Sequence, residues 1–236
     1  DPKLHAEARL ELAAIWVQTE DPDLVGRSLQ RTYQNLAQMN QLSPGDIELQ
    51  TMLIRALQLL GTVFERQGQL AKAADRVLEA IEMTERLEID MNRNPWGPRI
   101  VWEPLNQLGR LRLRTADLTG ANKMFDLALN VAHGAEDVRG EIAARANLGS
   151  LFAQQNRMDA ATRSVRTALG LARKSGDLQA AAKLEHNLGQ IYLRQKRPDQ
   201  AADLFRQSLK LATDLDWREG IAMNASQIRL LEAKGL

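Results

Sequence analysis

The sequence predicts an all-α fold, an α-α superhelix of about five helical hairpins followed by a C-terminal capping helix, and three observations carry that reading. First, the chain repeats itself. Asn147-Leu148-Gly149 returns as Asn187-Leu188-Gly189, Phe152 as Tyr192, Asp159-Ala160-Ala161 as Asp199-Gln200-Ala201, and Ala168-Leu169 as Ser208-Leu209, always 40 residues on. Self-similarity at a fixed period of this length marks stacked units rather than a single globular core. Second, a small residue follows a leucine at Leu12-Ala13, Leu60-Gly61, Leu108-Gly109, Leu148-Gly149 and Leu188-Gly189, with a degenerate Gln227-Ile228, at spacings of 48, 48, 40, 40 and 39. Third, side chains recur at fixed offsets from that slot. Three residues later stand Trp16, Phe64, Phe152, Tyr192 and Leu231, with Arg112 the exception. Twelve later come Val25, Ala73, Ala121, Ala161 and Ala201; sixteen later, Leu29, Val77, Phe125, Val165 and Phe205; nineteen later, Thr32, Ala80, Ala128, Ala168 and Ser208. Steps of three and four fall on one helical stripe, so each unit holds two amphipathic helices.

Taken in order, the units run over 3–42, 44–92, 98–135, 137–175 and 177–214, with the capping helix over 216–234. The turns inside them are Glu20-Asp21-Pro22, Gln67-Gly68-Gln69, Thr115-Ala116-Asp117, Gln155-Asn156-Arg157 and Gln195-Lys196-Arg197-Pro198. Gly68 and Asn156 tolerate the left-handed conformation that ends a helix, while Pro22 and Pro198 suit the first turn of the next. Such short loops force antiparallel neighbours. Asp46, Asp137, Asp177 and Asp216 stand where a carboxylate would cap the first helix of successive units. The extra residues around Met39 to Gly45 read as a longer loop, with Ser43 capping and Pro44 opening the next helix.

Composition bounds the function. Apolar residues are 44% and charged residues 26% of the 236, ordinary values for a folded chain, whereas aromatics are only 4%, so packing rests on alanine and leucine. Lysine plus arginine is 31 against 30 acids, a formal charge of +1, which gives no bulk field to draw nucleic acid or an anionic membrane. The absence of cysteine excludes disulfides and thiolate chemistry. It leaves cytoplasm and periplasm open, and a cytoplasmic chain is the expectation. No apolar run approaches the ~20 residues that cross a bilayer, and no signal peptide is visible. Because the sequence begins at Asp1, a fragment or processed form is expected.

The leucine-glycine pair, the aromatic three later and the alanine-x3-phenylalanine run resemble the tetratricopeptide repeat (TPR). The resemblance covers essentially the whole chain and is strongest over Gly61 to Ala212. A 40-residue period exceeds the usual 34 and is similar to the longer-helix variant of bacterial regulators, kinesin light chains and cell-polarity adaptors. What the resemblance implies is a right-handed superhelix whose concave face is lined by the first helix of each unit, at six, three and two residues before the small slot and one and five after it. On that basis the face carries Arg55, Gln58, Thr62 and Arg66; then Glu103, Asn106, Gln107, Arg110 and Arg114; then Asn147, Ser150 and Gln154; then Lys183, His186, Asn187, Gln190 and Arg194.

The candidate partner-binding residues are Arg66, Asn106, Arg110, Arg114, Asn147, Gln154, Lys183, Asn187, Gln190 and Arg194. Asn147 and Asn187 would bond the backbone of an extended peptide, and the cations would attract carboxylates, for which arginine presents a planar fork of donors. The competing reading makes them solvated helix surface. Lys183 and Asn187 fit the first part of the family's carboxylate clamp, but the following unit offers Ser226, so the clamp is incomplete. An internal acidic or mixed peptide, or a folded partner, is the better expectation.

The stretch from Asn92 to Pro104 breaks the helical pattern with three prolines and a glycine, so the next helix must begin between Pro98 and Pro104. Trp96 and Trp102 there read either as exposed loop anchors of the kind enriched in interface hot spots or, preferably, as covers for an apolar edge. Chemistry is not legible. His5, His133 and His186 are too scattered for a metal, no phosphate loop is present, and the serines lack a nucleophile elbow. His186 would lie on the concave face, where plain exposure is the better reading, and Asn224-Ala225-Ser226 sits in an expected helix, so its glycosylation pattern reads as chance.

The expected function is therefore a non-enzymatic scaffold without metal or cofactor, binding in its concave groove a protein or peptide of acidic or mixed character, with no nucleic-acid partner and no membrane insertion; self-association stays open. The alternative is the sensor or regulatory arm of a larger multidomain signalling protein, ATPase, protease or transcription regulator.

Overall fold

The computed structural model describes residues 2–87 and 97–233. Among them the chain forms eleven α-helices and no strand: α1 (Pro2–Thr19), α2 (Pro22–Leu42), α3 (Ile47–Arg66), α4 (Leu70–Arg86), α5 (Arg99–Arg114), α6 (Leu118–Gly134), α7 (Val138–Gln154), α8 (Met158–Ser175), α9 (Leu178–Arg194), α10 (Pro198–Asp214) and α11 (Arg218–Glu232). Trp96 lies outside the described residues.

Local chemistry sets the helix ends. Asp21 accepts from the Asp23 N–H at 2.9 Å, Asp46 from Leu49 at 3.2 Å, Asp137 from Gly140 at 3.0 Å and Asp177 from Ala180 at 2.9 Å, each satisfying an otherwise orphaned donor. Asp46 is also bridged by Lys3 of α1, whose ammonium holds the carboxyl below the usual carboxylate range. Two capping expectations are corrected. Trp217 rather than Asp216 precedes α11, with no side-chain cap, and Ser43 ends α2 through an N–H bond to the Met39 carbonyl instead of opening α3. In each case the residue lies within a turn, too early in the chain to reach the first free N–H groups.

Seven turns after α3 share one geometry. Gly68, Ala116, Glu136, Asn156, Gly176, Lys196 and Asp216 all have φ between 50° and 74°. At each, the following N–H reaches back five residues, as in Asp117 to Arg112 O (2.9 Å), Arg157 to Phe152 O (2.8 Å) and Arg197 to Tyr192 O (2.9 Å). This is the left-handed helix stop that satisfies the last carbonyls. Gly68 and Asn156 behave as expected, whereas Ala116, Glu136 and Lys196 adopt a conformation their side chains do not favour.

The small slot explains how the two helices of a hairpin meet. A Cβ placed on Gly61 would stand 2.7 Å from Val77 Cγ2, and one on Gly189 2.7 Å from Phe205 Cε1. Gly109 against Phe125 and Gly149 against Val165 are closer still. The recurrent side chain sixteen residues on is thus seated on bare backbone.

The chain divides into two compact units, Asp1–Val131 and Ala132–Leu236. In the first, α3 packs against α1, α2, α4 and α5, and every residue from Thr51 to Gly61 is buried. Its core joins Leu10, Val17, Leu29, Leu36, Leu53 and Leu60, beside a smaller cluster of Ile54, Leu57, Ala80 and Ile100. In the second, α7 to α11 stack in chain order around Ile142, Val165, Leu184, Tyr192 and Phe205. One sequence expectation needs amending here. By length and composition α3 would cross a bilayer, but 72% of its apolar window is buried inside the protein, the signature of a core helix.

Two outcomes follow. Gly149→Leu overpacks the contact with Val165 and lowers unfolding stability by about 1–3 kcal/mol in urea titration; parent-like melting would refute the packing scheme. Ala116→Gly relieves left-handed strain at an exposed turn and raises stability by up to about 1 kcal/mol, where a loss would show that the turn is not strained.

Candidate functional site

Within the first unit the expected binding face is largely enclosed. Arg55, Gln58, Asn106 and Gln107 are 8%, 4%, 2% and 3% exposed. The run Pro104 to Gly109 is buried on all sides of α5, so Asn106 is corrected from a surface contact to an interior residue. Gln107 donates to the Gln58 carbonyl at 3.2 Å and to Thr62 Oγ1 at 3.1 Å, tying α5 to α3. Arg55 Nη1 bonds Glu103 Oε2 at 3.2 Å; burial pushes its guanidinium below the ordinary arginine range and the Glu103 carboxylate counters that. Arg55 and Gln107 thus link α3 and α5.

Residues five after the small slot reach backwards along the chain. Arg66 donates to the carbonyls of Val17 (2.6 Å) and Glu20 (2.8 Å), neutralising the negative end of α1. Arg114 pairs with Glu65 at 2.9 Å, and Arg194 in the second unit donates to Ala153 O at 3.2 Å. Three candidate cations are thus engaged within the fold. Arg110 is exposed and has no polar partner among the described residues. Trp102 is helical and 7% exposed, so it is no loop anchor; it covers the interior, the role preferred from sequence.

The second unit keeps an open cleft of about 220 Å³. Ser150, Ala153 and Gln154 of α7, Val165 of α8, and Asn187, Gln190, Ile191 and Arg194 of α9 line it, with the Gly149 backbone as part of its wall. Four sequence candidates, Gln154, Asn187, Gln190 and Arg194, are therefore brought together. Asn147 lies on α7 one turn before Ser150 and outside that lining. The carboxamides of Gln154, Asn187 and Gln190 have no hydrogen bond among the described residues. Each offers both donors and an acceptor, the complement of a peptide unit. No carboxylate lines the cleft, and its one cation already bonds Ala153.

Beside the cleft, the Lys183 ammonium stands 5.3 Å over the Trp217 ring. His186 is half-buried, its Nδ1 2.9 Å from Asn224 Oδ1 and its ring 5.3 Å from Phe205. Sequence reasoning missed what lies behind it. Asn224 is fully buried and donates to Ser208 Oγ and to Gly220 O, both at 2.8 Å, while Ser208 donates to Ala182 O at 2.7 Å. That network locks α9, α10 and α11 together and removes Asn224 from any glycosylation role. Its only sequence trace was Ser208 in a slot otherwise held mostly by alanine. Glu185, 2% exposed and held by Arg173 at 2.7 Å, left no trace at all.

Residues 141–214 match the tetratricopeptide repeat model. A comparison with curated proteins gives no match. Among solved structures, the chain is similar to the Rap conjugation gene regulator of plasmid pLS20 in complex with the Phr* peptide, with a TM-score of 0.75 and 15% identity over 95% of this chain and 58% of that one. It is also similar to a thermophilic TPR protein in Thermus thermophilus, at TM-score 0.63 and 19% identity over 94% and 98%. A third is a signal transduction ATPase with numerous domains and a tetratricopeptide repeat sensor from Pyrococcus horikoshii, at 0.68 and 14% over 100% and 34%. This chain therefore spans little more than half of the first protein and a third of the last. Residues 141–214 are thus similar to tetratricopeptide repeats, and the same glycine-seated hairpins recur before that stretch.

Proposed function

We propose that the chain is a non-enzymatic scaffold that holds a peptide or peptide-like segment of a protein partner in the cleft between α7 and α9. The observation that carries this reading is the set of three carboxamides, Gln154, Asn187 and Gln190, left without partners on an open, acid-free surface. Donor-acceptor pairs at helical spacing read a main chain irrespective of its side chains, and the apolar floor of Val165 and Ile191 accepts one small side chain. Asn147 extends the site along α7, and Lys183 on α9, with no carboxylate partner among the described residues, would draw acidic residues of a ligand. Arg66, Arg114 and Arg194 contribute mainly by holding the helices that present the site. The peptide-bound Rap regulator, similar in fold, supports the choice of ligand class.

A second reading, a sensor or regulatory arm within a multidomain protein, is supported by the Pyrococcus horikoshii ATPase, whose chain is about three times as long. The sequence flanking this chain in its gene separates the two.

Screening a peptide array with the purified chain, followed by anisotropy on the strongest peptide, tests the cleft. Asn187→Ala and Gln190→Ala should each weaken binding by about 2- to 10-fold, the worth of one amide hydrogen bond, with melting unchanged. Undiminished affinity in the double variant would place the ligand elsewhere. Lys183→Glu should leave folding intact and weaken an acidic peptide; an unaffected affinity would place that ammonium outside the recognised surface.

A further inference from the structure

A helix with apolar side chains on every side is built to be covered on every side. α1 is such a helix. Ala6, Leu10, Ala13 and Val17 are buried in the first unit's core, yet Leu4, Leu12, Ile15 and Trp16 on the other arc are 64%, 45%, 62% and 42% exposed. Leu24 at the facing end of α2 is 58% exposed. Leu4, Ala8, Leu12 and Trp16 follow one another at steps of four, the ridge that another helix packs against. Between α1 and α2 this ridge borders a groove of about 520 Å³, floored by Ala8, Leu12, Trp16 and Leu24. A second hollow of about 330 Å³, reaching Met39 and Leu42, adjoins it through the shared His5 and Arg9. An apolar strip of this extent on a surface marks a site of association.

The rim decides what would cover it. Arg9, Arg27 and Arg31 border the groove, no aspartate or glutamate lines either hollow, and none of the three arginines has an ion-pair partner among the described residues. A second copy docked by two-fold symmetry would set these arginines against their own equivalents, a repulsive arrangement. From Leu4 to Trp16 the ridge is about 18 Å long, three turns of a partner helix.

We propose that the α1–α2 groove binds an acidic amphipathic helix of another protein, with its leucine-like stripe against Leu12, Trp16 and Leu24 and its carboxylates on Arg9, Arg27 and Arg31. The site is separate from the α7–α9 cleft, so the two stand or fall independently.

The probe is a fluorescein-labelled synthetic helix of about 16 residues, with leucine at i, i+3, i+4, i+7 and i+11 and glutamate on the flanks, beside a twin carrying lysine for glutamate. Anisotropy should show the acidic helix binding at least about tenfold tighter than the twin, and weakening between about 50 and 500 mM NaCl. Leu12→Glu should abolish binding with unchanged circular dichroism, since the side chain is exposed. Arg27→Glu with Arg31→Glu should invert the preference between the probes, while Asn187→Ala should leave both untouched. Equal binding of the twins, binding of neither, Leu12-dependent self-association in ultracentrifugation, or Leu12-dependent recruitment to phosphatidylserine vesicles without binding of the acidic helix would each overturn the proposal.

Discussion

Every hairpin from α3 onward depends on one close approach, bare glycine backbone on the first helix against a bulky side chain sixteen residues later on the second. Gly61 against Val77, Gly109 against Phe125, Gly149 against Val165 and Gly189 against Phe205 are the same contact four times over. The ring or branched side chain fills the space a methyl group would need, so the axes draw together and the alanines at Ala73, Ala121, Ala161 and Ala201 can be wholly buried. Interiors packed at this density resist even one added carbon. An aromatic-poor chain can build two cores in this way because small residues trade side-chain bulk for proximity.

The same register then serves opposite ends in the two units. Gln107, Asn147 and Asn187 occupy one slot, two residues before the glycine. Gln107 sits on an α5 segment buried all round and bonds α3, while Asn187 lines an open cleft. Around α3 four helices close the surface, and Arg55 and Gln107 become cross-links to or from α5, bonded to Glu103 and to the Gln58 carbonyl and Thr62. α9 also packs against four helices, but Asn187 and Gln190 lie on its uncovered side with Gln154 of α7, and their carboxamides keep their hydrogen-bonding capacity unspent.

The arginines teach a related lesson. Five residues after the small slot, Arg66 and Arg194 each donate to carbonyls near the end of the first helix of the preceding hairpin. A cation at a helix C-terminus is favourable in its own right. Recurrence at a slot facing the expected groove thus reflects stacking as readily as recognition, and for these residues stacking is what the geometry supplies. The outer face of α1 has no such contact among the described residues, and Leu4, Leu12, Ile15 and Trp16 stay exposed.

The periodicity of the chain alone determined the helices, the hairpin links at Gly68 and Asn156, the caps at Asp137 and Asp177 and the glycine contact, because each is decided within a few residues or by a fixed offset along the sequence. Left-handed Ala116 and Lys196 escaped notice since nothing in those residue types demands that conformation; the helix stop imposes it on whatever occupies the position. Only the tertiary structure decided which polar residues stay open. Exposure depends on which side of a helix its neighbours cover: α3 and α9 each pack against four helices, yet Gln58 is closed off and Asn187 lines an open cleft, a difference in packing that no local pattern encodes.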